Sequence, residues 1–299
     1  MSSILFDARE RLQSLLGTGV FDWFDRTYIV DWAVAFIFHV LASVIEAAPV
    51  FERGFSLDDP LISHPHAVHQ RIDGNVNGTI SLFGSFVVVL LFGVMRQSLF
   101  EIHQGVLVAF AARGLNDVVT EALKNRVGRL RPDFLSRCNW SDALRACTGD
   151  PMNIRDGRRS FPSGHSSTAF VGMTFIVLFL AGKTGALCFS SPTPSRSFLG
   201  SRLARLVVTL APWAFSTWVA ISRIEDYRHH KEDVLVGSTI GILSATITYL
   251  TFWPNPFSAK SFQPDHRGSP RAIYQDHEFH RPTRRGYELH TPDADTEPV

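Results

Sequence analysis

Six apolar runs, at about 28–50, 78–95, 105–123, 166–182, 203–220 and 233–253, constrain this chain of 299 residues more than any other feature. Each is close to the ~20 residues that a helix needs to cross the hydrocarbon core of a bilayer. "GTISLFGSFVVVLLFGVM", "SSTAFVGMTFIVLFLAG" and "VLVGSTIGILSATITYLTFW" contain no charge, and the last is rich in small residues that let helices approach closely. The first run holds Asp31, His39 and Glu46, and the third holds Arg113, Asp117 and Glu121. Charges at that depth are costly unless they face a bundle interior. The sequence therefore predicts an all-α fold, a six-span transmembrane helix bundle. A soluble amphipathic helix is the alternative for the third run, and its apolar neighbours argue against it. On that run Arg113, Asn116, Asp117, Thr120, Glu121 and Lys124 recur at spacings of three and four, so they form one polar stripe. The stripe ends where the loop begins, and it leads towards something polar at the membrane face.

Around this core the chain divides into residues 1–27, a membrane domain at 28–253, and a tail at 254–299. Asp7, Glu10, Asp22 and Asp25 interrupt the first segment, which lacks the apolar centre of a secretory signal. Ile4, Leu5, Leu12, Leu15 and Leu16 share a helical face, so a cytosolic interfacial helix is expected there. From 258 onward the tail is rich in Pro, Asp, Glu, Arg, His and Thr without apolar periodicity, and disorder is expected. Six spans place both termini on one side and loops 51–77, 124–165 and 221–232 together on the other. Lys and Arg do not set the orientation: these loops hold fourteen, and the termini with the remaining loops hold thirteen. Nine of the loop cations lie in 124–165, which points to a ligand there. The net charge of +1 excludes a nucleic-acid binder that works by displacing counterions. Three cysteines are too few for a disulfide-stapled fold. Cys138 and Cys147 share one polar loop and either pair in an oxidising compartment or stay free.

Three clusters in these loops have an anion-binding character. In "LKNRVGRLRPDF", Lys124 and Arg131 flank Arg126 and Arg129; guanidinium forks and an ammonium suit phosphate, although a basic patch touching lipid headgroups has the same composition. In "RRSFPSGHSST", Ser163 and Gly164 open an apolar helix, where free backbone N–H groups and a hydroxyl meet an anion, with His165 beside it. Plain helix capping by Ser163 or Ser166 is the simpler account. A serine-hydrolase elbow is disfavoured, because Thr168 stands where Gly-x-Ser-x-Gly needs its second glycine. In "SRIEDYRHHKED", His229 and Asp233 are four apart and His230 and Asp233 three apart. A carboxylate on one imidazole nitrogen fixes the tautomer and leaves the other nitrogen as nucleophile or base. Spacing alone does not choose between the two histidines. A metal held by His229, His230, Asp233, Glu225 and Asp226 is disfavoured by the surrounding cations, and "HPHAVH" at 64–69 reads as loop histidines before a metal site.

Together, "KNRVGRLRP", "PSGH" and "SRIEDYRHHKED" follow the order and spacing Lys-x6-Arg-Pro, Pro-Ser-Gly-His and Ser-Arg-x5-His-x3-Asp. This pattern resembles the type 2 phosphatidic acid phosphatase superfamily, the lipid phosphate phosphatases, over most of 28–253. "FSLDDPLISHPHA" and "DGRRSFPSGHSS" look most like the fungal diacylglycerol pyrophosphate phosphatase branch. The resemblance implies that His229 is the nucleophile that becomes a phosphohistidine, that Asp233 orients it, and that His165 protonates the leaving oxygen and then activates water. It implies that Lys124, Arg131, Ser163, Gly164 and Arg223 hold the phosphoryl oxygens, with no metal and no cofactor, and it leaves His230 without a role. Fixed cations and backbone donors can supply the charge neutralisation that phosphoryl transfer needs.

The expectation is thus a Mg-independent multi-pass membrane phosphatase of phosphatidate, lysophosphatidate or diacylglycerol pyrophosphate. Its partner is the phospholipid substrate in the bilayer. The resemblance places its active site at the non-cytosolic (luminal or extracellular) membrane face of the vacuole, Golgi, ER or plasma membrane. Sphingoid-base phosphates and polyprenyl pyrophosphates are alternative substrates. A vanadium haloperoxidase is disfavoured by the six spans, and a catalytically silent lipid-binding or transport protein by the complete set of His229, His165 and Asp233. The sequence carries no signal for oligomeric state.

Overall fold

A computed structural model describes residues 23–67, 69–190, 200–262 and 268–274. Most of the expected interfacial helix within 1–27 lies outside the described residues. The helices are α1 (Thr27–Ala47), α2 (Gly74–Met95), α3 (Leu99–Val127), α4 (Phe134–Cys138), α5 (Pro151–Gly157), α6 (Gly164–Thr184), α7 (Arg202–Glu225) and α8 (Lys231–Phe252). Two short antiparallel strands, β1 (Trp140–Ser141) and β2 (Ala146–Cys147), pair Trp140 with Cys147. The long helices start where side chains satisfy their orphan N–H groups. Asp73, Ser98, Ser163 and Ser201 accept from Asn75, Glu101, Ser166 and Ala204 respectively. Gly128 and Gly185 end α3 and α6 in the left-handed conformation, at φ 58° and 65°.

Five helices, α1, α2, α6, α7 and α8, are long and apolar enough to cross a membrane. The helix α3 has 29 residues, about 43 Å at 1.5 Å per residue. It outruns the predicted 105–123 at both ends because Ser98 caps it early and Gly128 stops it late. Its polar stripe sets it apart from the other five, and Gln104, Asn116, Thr120 and Asn125 are buried inside the bundle.

The most buried span is α6, which packs on α2, α3, α7 and α8. Close approach depends on glycine. Gly172 of α6 lies on the backbone of Ser81 in α2, and Gly241 of α8 lies on the carbonyl of Ser167 in α6, so a Cβ at either position would collide with main chain. Val89, Leu107, Val108, Phe175, Phe179 and Tyr249 fill the core between them. At the periphery, α1 leaves Val30, Ile37, Val40 and Val44 exposed along an apolar face suited to lipid.

The loops at the end of the bundle where α3 stops and α6 starts build a cap with its own core of Ile62, Leu130, Phe134 and Cys138. The Arg158 guanidinium lies 5.1 Å from the Phe134 ring centroid. Cys138 and Cys147 form a disulfide, which removes the alternative of two free thiols; Cys188 is free and buried. Closing a loop of this size contributes roughly 2–3 kcal/mol in the chain-entropy account.

At the opposite end, the start of the tail departs from the expected disorder. Lys183 Nζ pairs with Glu101 at 2.5 Å and also donates to the Gly268 carbonyl. The Arg271 N–H donates to the Phe252 carbonyl at 2.8 Å, and Tyr274 Oη donates to Asp31 Oδ1 at 3.1 Å. A buried ammonium needs more than one acceptor, and this segment supplies one. Residues 275–299 lie outside the described residues.

Candidate active site

The first cluster follows from how α3 ends. Lys124 lies in its last turn, and Gly128 turns the chain so that Arg129 and Arg131 enter the cap. Lys124 Nζ donates to Glu121 Oε1 at 2.6 Å, and Glu121 also pairs with Arg159. Arg131 is buried. Its Nε and Nη2 donate to the main-chain carbonyl and Oδ1 of Asp156 at 2.9 and 2.7 Å, and its Nη1 donates to the Arg228 carbonyl at 3.3 Å.

The second cluster is the start of α6. Ser163 is its N-cap, so the capping account holds; its Oγ accepts from Ser166 Oγ at 3.0 Å. A Cβ on Gly164 would lie 2.8 Å from Lys124 Nζ, so a side chain there would push the movable ammonium away from the helix start. The main-chain oxygen of His165 accepts from Asn77 Nδ2 at 2.9 Å, while its imidazole Nε2 is buried without a partner among the described residues.

In the third cluster, Arg223 at the end of α7 is 1% exposed; its Nη2 donates to Asp226 Oδ2 at 3.1 Å and its Nη1 to Gln70 Oε1 at 2.9 Å. His229 is 3% exposed, and its Nδ1 lies 2.7 Å from the Ser160 carbonyl oxygen. A carbonyl can only accept, so Nδ1 carries the proton and Nε2 keeps its lone pair. Burial, reinforced by Arg131, pushes the His229 imidazole down to about 4, against an upward pull from Asp233. The ring is neutral at pH 7, the form a nucleophile requires.

Asp233 differs from the simple pairing that sequence spacing suggests. Its Oδ2 is 3.8 Å from His229 Nδ1, beyond hydrogen-bond length. It accepts instead from Ser160 Oγ at 2.6 Å, from the His230 main-chain N–H at 3.0 Å and, through Oδ1, from Arg129 Nη1 at 2.8 Å. Ser160 thus joins the two, with its carbonyl on His229 and its hydroxyl on Asp233. His230 is the N-cap residue of α8, with Nδ1 3.3 Å from Asp233 and Nε2 3.2 Å from the Leu61 carbonyl oxygen.

The clusters converge. The Ser163 N–H donates to the Asp233 carbonyl at 2.9 Å, and Gly237 of α8 lies against the Ser163 carbonyl. Arg223, His229, Arg131 and Lys124 all lie within electrostatic reach of His165. The eight residues singled out in the sequence therefore occupy one place. Spacing did not reveal Ser160, nor the counter-ions Asp156 and Asp226 that hold Arg131 and Arg223; the nearest signal was the polar run ahead of "PSGH". The loop histidines act as fasteners: His66 Nδ1 meets Asp133 Oδ2 at 2.6 Å, and His64 stacks on Tyr227 at 4.4 Å. Among the described residues no group of three or more His, Cys, Asp or Glu side chains is arranged to hold a metal ion.

A cavity of about 380 Å³ adjoins the cluster, lined by Lys124, Gly164 and His165 and by the stripe residues Arg113, Asp117 and Glu121. The stripe does lead to the site. The arrangement offers a neutral nucleophilic nitrogen, a second histidine with an open nitrogen, and three buried or half-buried cations: the parts required to hold and transfer a phosphoryl group.

Comparison with known proteins agrees with this chemistry. The PAP2 superfamily matches residues 105–257. The chain is 34% identical over 223 residues to probable diacylglycerol pyrophosphate phosphatase 1 of Schizosaccharomyces pombe, covering 68% of this chain and 73% of that protein. It is 30% identical over 250 residues to lipid phosphate phosphatase 2 of Arabidopsis thaliana, covering 80% and 82%. It is also 30% identical over 252 residues to diacylglycerol pyrophosphate phosphatase 1 of Saccharomyces cerevisiae, covering 78% and 84%. No solved structure matches the chain.

Proposed function

The chain belongs to the PAP2 superfamily, and we propose that it is a Mg-independent lipid phosphate phosphatase acting on phosphatidate, lysophosphatidate and diacylglycerol pyrophosphate through a phosphohistidine. It is an integral membrane protein of the phosphoric-ester hydrolases. One observation carries the mechanism: His229 is held neutral, with Nδ1–H on the Ser160 carbonyl, within a cluster of cations that also contains His165.

Lys124, Arg131 and Arg223, with Ser163 and the N–H of Gly164 at the start of α6, bind the phosphoryl oxygens. His229 Nε2 forms the N–P bond as the bond from phosphorus to the leaving oxygen breaks. His165 gives that oxygen a proton. His229 becomes positively charged, and Asp233, 3.8 Å from Nδ1, favours that charge. His165 then takes a proton from water, which attacks phosphorus and returns His229 to its starting state. Purified protein is expected to release phosphate from phosphatidate and diacylglycerol pyrophosphate at the same rate with excess EDTA present. A strict Mg²⁺ requirement would overturn the mechanism.

For the topology, α3 serves as the sixth span. Its length and its inward-facing stripe support this, and six spans put the cap, the site and the disulfide on one face. A disulfide is at home in an oxidising compartment, which supports a luminal or extracellular site in an endomembrane (vacuole, Golgi or ER) or the plasma membrane. The phospholipid substrate then reaches the site from the bilayer. Sealed vesicles treated with a membrane-impermeant thiol reagent give the check. With the luminal side outward, Cys138 and Cys147 should label only after reduction and unfolding, and Cys188, itself buried, only once the membrane is opened and the protein unfolded. Labelling of Cys188 in such sealed vesicles would reverse the orientation.

A further inference from the structure

The polar stripe on α3 contains one cation that the hydrolytic cycle does not use. Arg113 stands eleven residues before Lys124, on the bilayer side of the site, and both line the same cavity. Its guanidinium is held from one edge only: Nε donates to Asp117 Oδ1 and Oδ2 at 2.9 and 2.7 Å. Asp117 is itself fixed by Asn116 Nδ2 at 3.2 Å, and Asn116 Nδ2 also donates to Ser167 Oγ on α6 at 3.3 Å. Neither Nη1 nor Nη2 of Arg113 has a hydrogen-bond partner among the described residues. The free edge of the fork is the one that binds phosphate oxygens.

Three carboxylates share the cavity with Arg113 and Lys124, and each has a cationic partner; Glu46 lies 3.6 Å from Arg159. Asp117 is engaged by Arg113 and Asn116, and Glu121 by Lys124 and Arg159. Lys124 reaches back to Glu121, while Arg113 reaches forward to Asp117. The two cationic ends therefore sit near the levels of residues 121 and 117, roughly 6 Å apart along the helix axis. Asn77 Oδ1, also on the cavity wall, is buried without a donor among the described residues.

The geometry points to Arg113, positioned by Asp117 and Asn116, as the binding residue for a second phosphate in the headgroup, which makes it the determinant of selectivity for pyrophosphate lipids over monophosphate lipids. This rests on the lipid phosphatase function proposed above. With the terminal phosphate held at Lys124, Arg131 and Arg223, the next group inward along α3 is the inner phosphate of diacylglycerol pyrophosphate. In phosphatidate the same place receives the uncharged glycerol ester region. When the terminal phosphate passes to His229, the bridging oxygen leaves with the bonding electron pair as part of the inner phosphate, and Arg113 neutralises the charge that grows there.

The test compares kcat/KM for diacylglycerol pyrophosphate and phosphatidate of the same acyl chains, using the full-length protein and its Arg113→Gln and Arg113→Lys variants in mixed micelles. Arg113→Gln should lower the pyrophosphate-to-monophosphate ratio by on the order of tenfold to a hundredfold. Arg113→Lys, which keeps the charge but not the fork, should lower it less. Inorganic pyrophosphate should lose inhibitory potency against phosphatidate hydrolysis in Arg113→Gln more than inorganic phosphate does. An unchanged ratio in Arg113→Gln, whether both rates fall together or neither falls, overturns the assignment. If that variant does not fold, an unchanged ratio in Arg113→Lys overturns it as well. Wild-type protein that cleaves phosphatidate but not diacylglycerol pyrophosphate refutes this inference alone, whereas wild-type protein that cleaves neither refutes the phosphatase function first.

Discussion

His229→Ala is expected to lower turnover of every lipid phosphate by on the order of 10⁴- to 10⁶-fold, the scale on which removal of a covalent nucleophile acts. His230→Ala should keep a readily measured fraction of wild-type activity. Sequence spacing leaves the neighbours nearly equivalent, but their surroundings differ. His229 is 3% exposed, and its Nδ1 donates to a carbonyl, which leaves Nε2 free to attack. His230 has its ring nitrogens 3.3 and 3.2 Å from two acceptors, Asp233 and the Leu61 carbonyl, at the start of α8, so its N–H is committed there. Its loss weakens a helix start, a matter of about 1 kcal/mol, and loosens Asp233 without removing it. Near-wild-type turnover in His229→Ala, with complete loss in folded His230→Ala, would exchange their roles.

His165→Ala should lower phosphatidate hydrolysis by on the order of 10²- to 10⁴-fold, the usual worth of a positioned proton donor. The effect should depend on the leaving group. Phosphatidate releases a glycerol alkoxide, which leaves poorly without a proton. Diacylglycerol pyrophosphate releases a phosphate, which leaves without one. In His165→Ala the first step should therefore persist with the pyrophosphate lipid, while water attack on the phosphohistidine, lacking its base, becomes slow. The variant should accumulate phosphorylated enzyme with diacylglycerol pyrophosphate and little with phosphatidate. Equal wild-type turnover of both lipids by His165→Ala would remove His165 from the chemistry.

Much of this was legible in the sequence because the bilayer imposes a length and an apolarity on whatever crosses it. Five of the apolar runs became helices within a few residues of their expected limits, and the stripe from Arg113 to Lys124 was visible as a three-and-four spacing. The full length of α3 was harder to see, since its ends are polar and its stops are set by Ser98 and Gly128. The side chains of the site could be listed but not all their partners. The acceptor for His229 is a main-chain carbonyl, and any residue at position 160 would present one, so its identity leaves no trace in residue type. Asp233 could be placed four residues from His229, yet Arg129, 104 positions earlier in the chain, competes for it. The packed start of the tail was hidden for a similar reason: Gly268 and Arg271 contribute main-chain atoms, and composition alone describes their side chains.

The central claim is that phosphate passes through His229. Brief incubation of the purified protein with diacylglycerol pyrophosphate labelled with ³²P in its terminal phosphate, followed by an alkaline quench, measures this directly. Phosphohistidine survives alkali and is lost in acid. The mechanism predicts base-stable, acid-labile label on the peptide that contains His229, more of it in His165→Ala, and none in His229→Ala. Label that persists in His229→Ala, or steady turnover by wild-type protein with no label at any time before the first turnover ends, would contradict it.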